Sequence, residues 1–256
     1  ADDQLDGTGF ELVKLKVQGA AEYAFWLAEV LPAGSKVVFD GQSASLAVAK
    51  AVEEAMGAVD IVVDGHVDLL EAVWLDRPAL PNRPAYLLDE RTTGESTVSK
   101  IERVKVKLRD KRATAHVVSS LDDLAWLLNI RGTDVKCNPV VLGFFLIEET
   151  RNTLFSDMAK LHQDEQGRLA EAGIILKPYE EVFAAVRSLD AQRILLDPKR
   201  TCFAMYDSVP NGVKIVEDIN PSTHLKAVKN EVEIAHTREA MLKDGVAMTR
   251  FFKWLE

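Results

Sequence analysis

GIILKPYEEVFAAVRSLDAQRILLD, residues 173–197, runs strand, helix, short apolar strand and a closing Asp. FELVKLKVQGAAEYAFWLAEVLPAGSKVVFD, residues 10–40, follows the same order. Within it, ELVKLKV (11–17) alternates apolar and polar residues and predicts a half-buried strand. Tyr23, Trp26, Leu27 and Val30 recur at helical spacing over residues 20–31, and Pro32 and Gly34 stop the helix. KVVFD (36–40) reads as a short buried strand. After Asp40 a helix is predicted over residues 43–56, with Gly57 just past its end, then the strand DIVVD (60–64). After Asp197 come a helical patch and KIVEDINPSTHLKAV (214–228). The two stretches read as two copies of one α/β unit. Plain alternation of strand and helix, common to any regular α/β protein, is the competing explanation.

The second copy has more in front of it. ATAHVV (113–118) predicts a strand and LDDLAWLL (121–128) a short helix. VVLGFFLI (140–147) is a continuous apolar run, as expected of a central strand buried on both faces. NTLFSD (152–157) is placed to pair beside it across the EETR turn. The first copy has no room for such counterparts, so its sheet is expected to be incomplete and the natural protein to extend upstream. VWLDRPALPNRP (73–84), with Pro78, Pro81 and Pro84, reads as an extended linker between the copies. Residues 229–256 predict an amphipathic helix through Ile234, Met241, Met248, Phe252 and Leu255. Its apolar end calls for a partner surface. The expected fold class is therefore α/β: mixed sheets flanked by helices, in tandem, the first copy incomplete, with a terminal helix.

A net charge of −9 argues against a nucleic-acid surface, which would need a basic face. No apolar run approaches membrane-span length, and ADDQLDGTG is not a signal peptide. Cys137 and Cys202 lie far apart without a CxxC, which suits reduced thiols in a cytosolic protein. None of His66, His116, His162, His224 and His236 has a helical partner at metal spacing. HExxH, GxSxG and P-loop patterns are absent. His116, inside ATAHVV, reads as a strand residue rather than a ligand. The pairs Glu53/Glu54, Asp122/Asp123, Glu148/Glu149 and Glu180/Glu181 are adjacent, and adjacent side chains diverge, so they build no acid/base pair.

The densest polar stretch is SSLDDLAWLLNIRGTDVKCNPV, residues 119–140. Ser120 and Asp123 fit the S-x-x-D capping pattern, and Trp126 and Leu127 belong to the core. Asn129 ends the helix and Gly132 permits a left-handed turn. Arg131 carries a planar fork suited to carboxylates, and from a loop at a strand end it can face a ligand, a neighbouring domain or Asp134. A structural or interdomain role is favoured. Asn129, Arg131 and Asp134 are the substrate-proximal or interdomain candidates.

SSLDDLAWLLNIRGTDVKCNPVV, VWLDRPALP and AVKNEVEIAHTREAMLKDGVAMTRFFKWLE resemble segments of the long, three-domain Xaa-Pro aminopeptidases (aminopeptidase P family), in the family's order and spacing. VWLDRPALP is similar to the family's Ile-Trp-x-Asp-Arg-Pro linker, and the last stretch to the first helix of its catalytic domain. The resemblance covers nearly the whole chain. It implies two creatinase-like N-terminal domains ahead of a metal-bearing pita-bread domain. Residues 1–75 would be the C-terminal part of the first, 76–95 a Pro-rich linker, 96–226 the second, and 227–256 the opening helix of the catalytic domain. For the intact enzyme it implies a cytoplasmic homodimer that hydrolyses the bond between an N-terminal residue and proline, using two divalent ions, typically manganese. The family's ligands (two Asp, one His, two Glu) and catalytic histidines lie beyond that helix. None is carried onto this sequence, and this region alone is expected to bind no cofactor and to be inactive. A prolidase- or creatinase-type hydrolase and a non-enzymatic binding module are the alternatives.

Overall fold

A computed structural model describes residues 2–17 and 21–256. The chain divides into two compact units: Ala1–Leu75 with Cys202–Ala204, and Asp76–Thr201 with Met205–Glu256.

The first unit contains α1 (Asp2–Leu5), α2 (Glu22–Val30), β1 (Lys36–Val38), α3 (Leu46–Gly57) and β2 (Val62–Asp64). Residue 20, where the second helix was expected to begin, lies outside the described residues. α3 starts where the Ser45 side chain accepts from Val48 N at 3.3 Å. It continues through Gly57, one residue past the expected end. β1 and β2 pair in parallel, Lys36 opposite Val62. Ala24, Val52, Ala55, Met56 and Ile61 form the core between helices and strands.

The expected strand at 11–17 does not form. Those residues have no regular structure, and Val13, Leu15 and Val17 are exposed. Alternation stabilises a strand only when a neighbour completes its ladder. Here the amides of Lys16 and Val17 donate instead to the Glu22 carboxylate, at 2.7 and 3.0 Å.

The second unit begins with β3 (Tyr86–Leu87), α4 (Glu90–Thr93), α5 (Thr97–Asp110), β4 (Ala115–Val118) and α6 (Leu121–Leu127). β5 (Ile130–Arg131), β6 (Phe144–Glu148), β7 (Asn152–Phe155), α7 (Gln163–Glu171), β8 (Ile174–Lys177) and α8 (Val182–Arg187) follow. The chain then runs through β9 (Arg193–Leu196), α9 (Phe203–Asp207), β10 (Lys214–Glu217), α10 (Pro221–Ala227) and α11 (Glu231–Leu255).

A six-stranded sheet has the order β10-β9-β4-β6-β7-β8. β6 is antiparallel to β4 and to β7, and the remaining neighbours are parallel. Phe145, Leu146 and Ile147 are buried from both faces, as the apolar run requires. The run becomes strand only at Phe144. Before it, the backbone is used locally: Val140 N donates to Asn138 O at 2.8 Å and Leu142 N to Asp134 Oδ2 at 2.7 Å. α5 lays Ile101, Val104 and Leu108 into the core with Leu124, Leu127, Phe145 and Leu195. Burial of each such side chain is worth about 1.5–3 kcal/mol.

One turn recurs in the two units. In the first unit Asp40 O accepts from the amides of Ser43 and Ala44, and its Oδ1 from Gln42 N at 2.8 Å. In the second, Asp197 O accepts from Arg200 and Thr201, and its Oδ1 from Lys199 N at 3.0 Å. Each aspartate closely follows the first strand of a parallel pair, β1 with β2 and β9 with β10. An Asp side chain that binds its own backbone two residues on makes a tight exit from a strand.

Candidate functional site

α6 carries the 119–140 stretch into the second unit. Ser120 is its N-cap residue, but its side chain makes no bond to the helix amides. The expected capping pair is replaced by a buried network. Ser120 Oγ donates to Asp123 Oδ2, which also accepts from Thr223 Oγ1 at 2.9 Å and Asn220 Nδ2 at 3.2 Å. Lys226 Nζ lies 2.8 Å from Asp123 Oδ1 and pairs with Asp122 as well. Asp123 is 1% exposed, and a carboxylate so far from water needs several donors to remain charged. α10 and Asn220 just before it supply most of them. Burial pushes the Asp123 pKa up, but hydrogen bonds from Lys226, Ser120 and Asn220 outweigh it and hold the group below its ordinary value.

One turn further, Trp126 Nε1 donates to Glu233 Oε1 at 3.2 Å. Glu233 Oε2 accepts from Asn230 N, and Asn230 Oδ1 from Glu233 N, a reciprocal cap at the start of α11. Beneath the indole lies Lys100, 1% exposed. Its ammonium donates to Asn129 Oδ1 at 2.6 Å and Trp126 O at 3.0 Å, and sits 4.6 Å from the Trp126 ring centroid. Burial pulls its pKa down to about 8, against the attraction of Glu233 and Glu95.

Asn129 does end the helix, in the left-handed region at φ 54°. Its Nδ2 donates to Glu95 O at 2.9 Å, so both ends of its amide are engaged inside the unit. Gly132 does not have the expected left-handed backbone. A glycine is needed there because a Cβ would lie 2.7 Å from Val141 Cγ2.

Arg131 does not pair with Asp134. Its Nη1 donates to Ala125 O at 2.6 Å and Ile130 O at 2.8 Å. Ala125 lies in the last turn of α6, where carbonyls lack helical partners, so the guanidinium closes the helix end and meets its negative pole. Asp134 belongs to a separate buried pair: Lys160 Nζ lies 2.8 Å from Oδ2, with side chains 3% and 1% exposed. This pair and the Leu142 amide fix the 133–139 loop.

His116 sits wholly buried on β4, its Nδ1 2.9 Å from Leu195 O. A carbonyl partner places the proton on Nδ1, and burial lowers the ring's pKa, favouring the neutral form. Among the described residues, neither Cys137 nor Cys202 forms a disulfide. Among the described residues, no three His, Cys, Asp or Glu are grouped to hold a metal, and no helix is long and apolar enough to cross a membrane.

The structure thus brings Asp123, Trp126, Asn129 and Arg131 together around α6 and leaves Asp134 in its own pair. Lys100, Lys160 and Lys226 escaped sequence reading because a lone lysine among apolar residues resembles a solvent-facing position. Asn220 did carry a signal, the Asn-Pro step that opens α10.

Residues 76–233, more than half of the chain, match the Creatinase/Prolidase N-terminal domain. The whole chain aligns with a probable Xaa-Pro aminopeptidase P of Chaetomium globosum, 31% identical, covering 43% of that protein. It aligns equally with Xaa-Pro aminopeptidase 1 of Dictyostelium discoideum, 31% identical, covering 42% of it. Among solved structures, the X-prolyl aminopeptidase of Caenorhabditis elegans, a cytosolic enzyme with a di-nuclear active site, superposes with a TM-score of 0.88. It is 27% identical, and the match covers 100% of this chain and 43% of that one. The chain therefore spans less than half the length of these relatives. It belongs to the creatinase/prolidase N-terminal domain family.

Proposed function

We propose that this chain is the non-catalytic N-terminal region of a metal-dependent Xaa-Pro aminopeptidase. The observation that carries the reading is the full-length alignment with Xaa-Pro aminopeptidases, of which this chain covers 43% and 42%. The parent would remove an N-terminal residue that precedes proline, and peptides with proline second would be its substrates. Proline offers no amide hydrogen at that bond, so the parent's recognition cannot rely on one.

The residues present do not fit a pair of hard divalent ions, which need several converging oxygen donors. Asp123 is held by Ser120, Asn220, Thr223 and Lys226, and Asp134 by Lys160 and Leu142 N. Two divalent ions, manganese in our reading, would therefore be held elsewhere in the parent. No step of the reaction is assigned to this chain.

Asn129, Arg131 and Asp134 take structural and interdomain roles in this reading. Their polar atoms are engaged with α6, Glu95 and Lys160. Residues 96–226 serve as the second creatinase-like domain, with the Pro-rich linker of 76–95 joining it through β3 and α4, and 227–256 serve as the helix leading into the catalytic domain. We also read the parent as a cytoplasmic homodimer. The test uses the longer natural chain. Turnover of an Xaa-Pro-Xaa peptide, with close to two equivalents of metal by elemental analysis, supports the reading. A purified longer chain without turnover on such peptides overturns it.

A further inference from the structure

We propose that Lys100 is a positioning residue: with Trp126, Asn129 and Glu233 it forms a joint that sets the direction in which α11 leaves the second unit. α11 is 25 residues long, yet the side chains that tie it back to the unit sit at its start. Asn230 Nδ2 donates to Thr93 O at 2.8 Å, Glu233 accepts from Trp126, and His236 Nδ1 lies 3.2 Å from Thr92 O. Beyond them Met241, Leu242, Met248, Phe252 and Trp254 are exposed. A helix of this length reaches roughly 37 Å, so a 10° error at its root moves its tip by roughly 6 Å. The rest of α11 is aimed by these few contacts.

Within the joint only Trp126 spans from α6 to the Glu233 carboxylate. Its ring is fixed from below by the Lys100 ammonium, which is itself tied to the Trp126 carbonyl and Asn129 Oδ1. A buried ammonium with no carboxylate in direct contact is costly; a methionine would fill the same space without that charge, but would leave Asn129 Oδ1 and Trp126 O without this donor. The charge makes sense as the support of the indole face, where a cation is attracted by the ring quadrupole. The charged groups around it are Glu95 and Arg103 beside and on α5, Arg131 on β5 and Glu233 on α11. As pH rises past the depressed lysine pKa of about 8, the ammonium loses its proton and its hold on the ring weakens. The joint is therefore tighter at neutral pH than above pH 8.

The joint's importance to catalysis rests on the reading given above, but its own test needs only this chain. The protein is labelled with 5-fluorotryptophan, and the Trp126 signal is assigned with Trp126→Phe. The Trp126 fluorine resonance should titrate with a midpoint near pH 8, and Lys100→Met should abolish that titration. Lys100→Met should also speed amide exchange in the first turn of α11 by about tenfold, with the amides of β6 unchanged. A Trp126 resonance that is flat between pH 7 and 9, or one that still titrates in Lys100→Met, overturns the proposal. So does unchanged exchange at the start of α11. In the longer natural chain Lys100→Met should lower kcat and leave KM near the wild-type value. Absence of wild-type turnover there defeats the aminopeptidase reading and leaves the fluorine and exchange results to decide the joint.

Discussion

Asp123 and Trp126, three residues apart on α6, hold the two helices that end the second unit. Asp123 accepts from Thr223 and pairs with Lys226 on α10, and Trp126 donates to Glu233 on α11. Residues at i and i+3 share a helix face, so one side of a seven-residue helix anchors both.

Asp123→Ala should therefore destabilise the unit by about 3–5 kcal/mol, the usual cost of breaking a buried pair from one side. The group's folded pKa lies below its unfolded value. Its contribution is then fully present above about pH 4 and is lost as pH falls through the folded pKa. Urea unfolding of wild type and Asp123→Asn should show a gap at pH 7 that closes in strong acid. A gap independent of pH would mean that the carboxylate's charge is not what stabilises the site.

Lys160→Met should cost a similar amount, about 3–5 kcal/mol, because Asp134 is left charged and buried. Adding Asp134→Leu should recover only part of the loss, since an apolar pair can replace a buried ion pair but the Leu142 amide then loses its acceptor. Denaturant midpoints of the two single variants and the double variant measure the coupling.

Arg131→Ala should lower stability by about 1.5–3 kcal/mol through loss of its bonds to Ala125 O and Ile130 O. Asp134→Asn should leave the exchange of amides at the end of α6 unchanged, since Asp134 does not hold the guanidinium. Protection lost there in Asp134→Asn would favour an Arg131–Asp134 ion pair, one of the alternatives open in the sequence.

Gly132→Ala should cost about 1–3 kcal/mol by forcing Val141 aside. Val141→Ala should relieve the added strain, which thermal melts of the double variant would reveal. A backbone requirement for glycine would instead persist in the double variant.

The α/β plan was legible because strand and helix periods, closing aspartates and prolines are local properties. β1, α3, β2, β4, α6, β7 and the terminal helix lie close to where periodicity puts them. The segment 11–17 failed for the opposite reason: its alternation is real, but a strand also needs a neighbour, which no window of sequence reports. The site was less legible. Ser120 and Asp123 satisfy a capping pattern, yet donors from Asn220, Thr223 and Lys226, about a hundred residues away, turn Asp123 into the centre of a buried network. Arg131 chose a helix-end carbonyl over a carboxylate three residues on, because α6 ends within its reach while Asp134 is taken by Lys160.

The most direct test is calorimetric titration of manganese into the 256-residue chain, run beside an assay on an Xaa-Pro-Xaa peptide. With Asp123 and Asp134 engaged as described, no stoichiometric binding and no turnover are expected. Micromolar stoichiometric binding accompanied by turnover would contradict the assignment of this chain to the non-catalytic part of the enzyme.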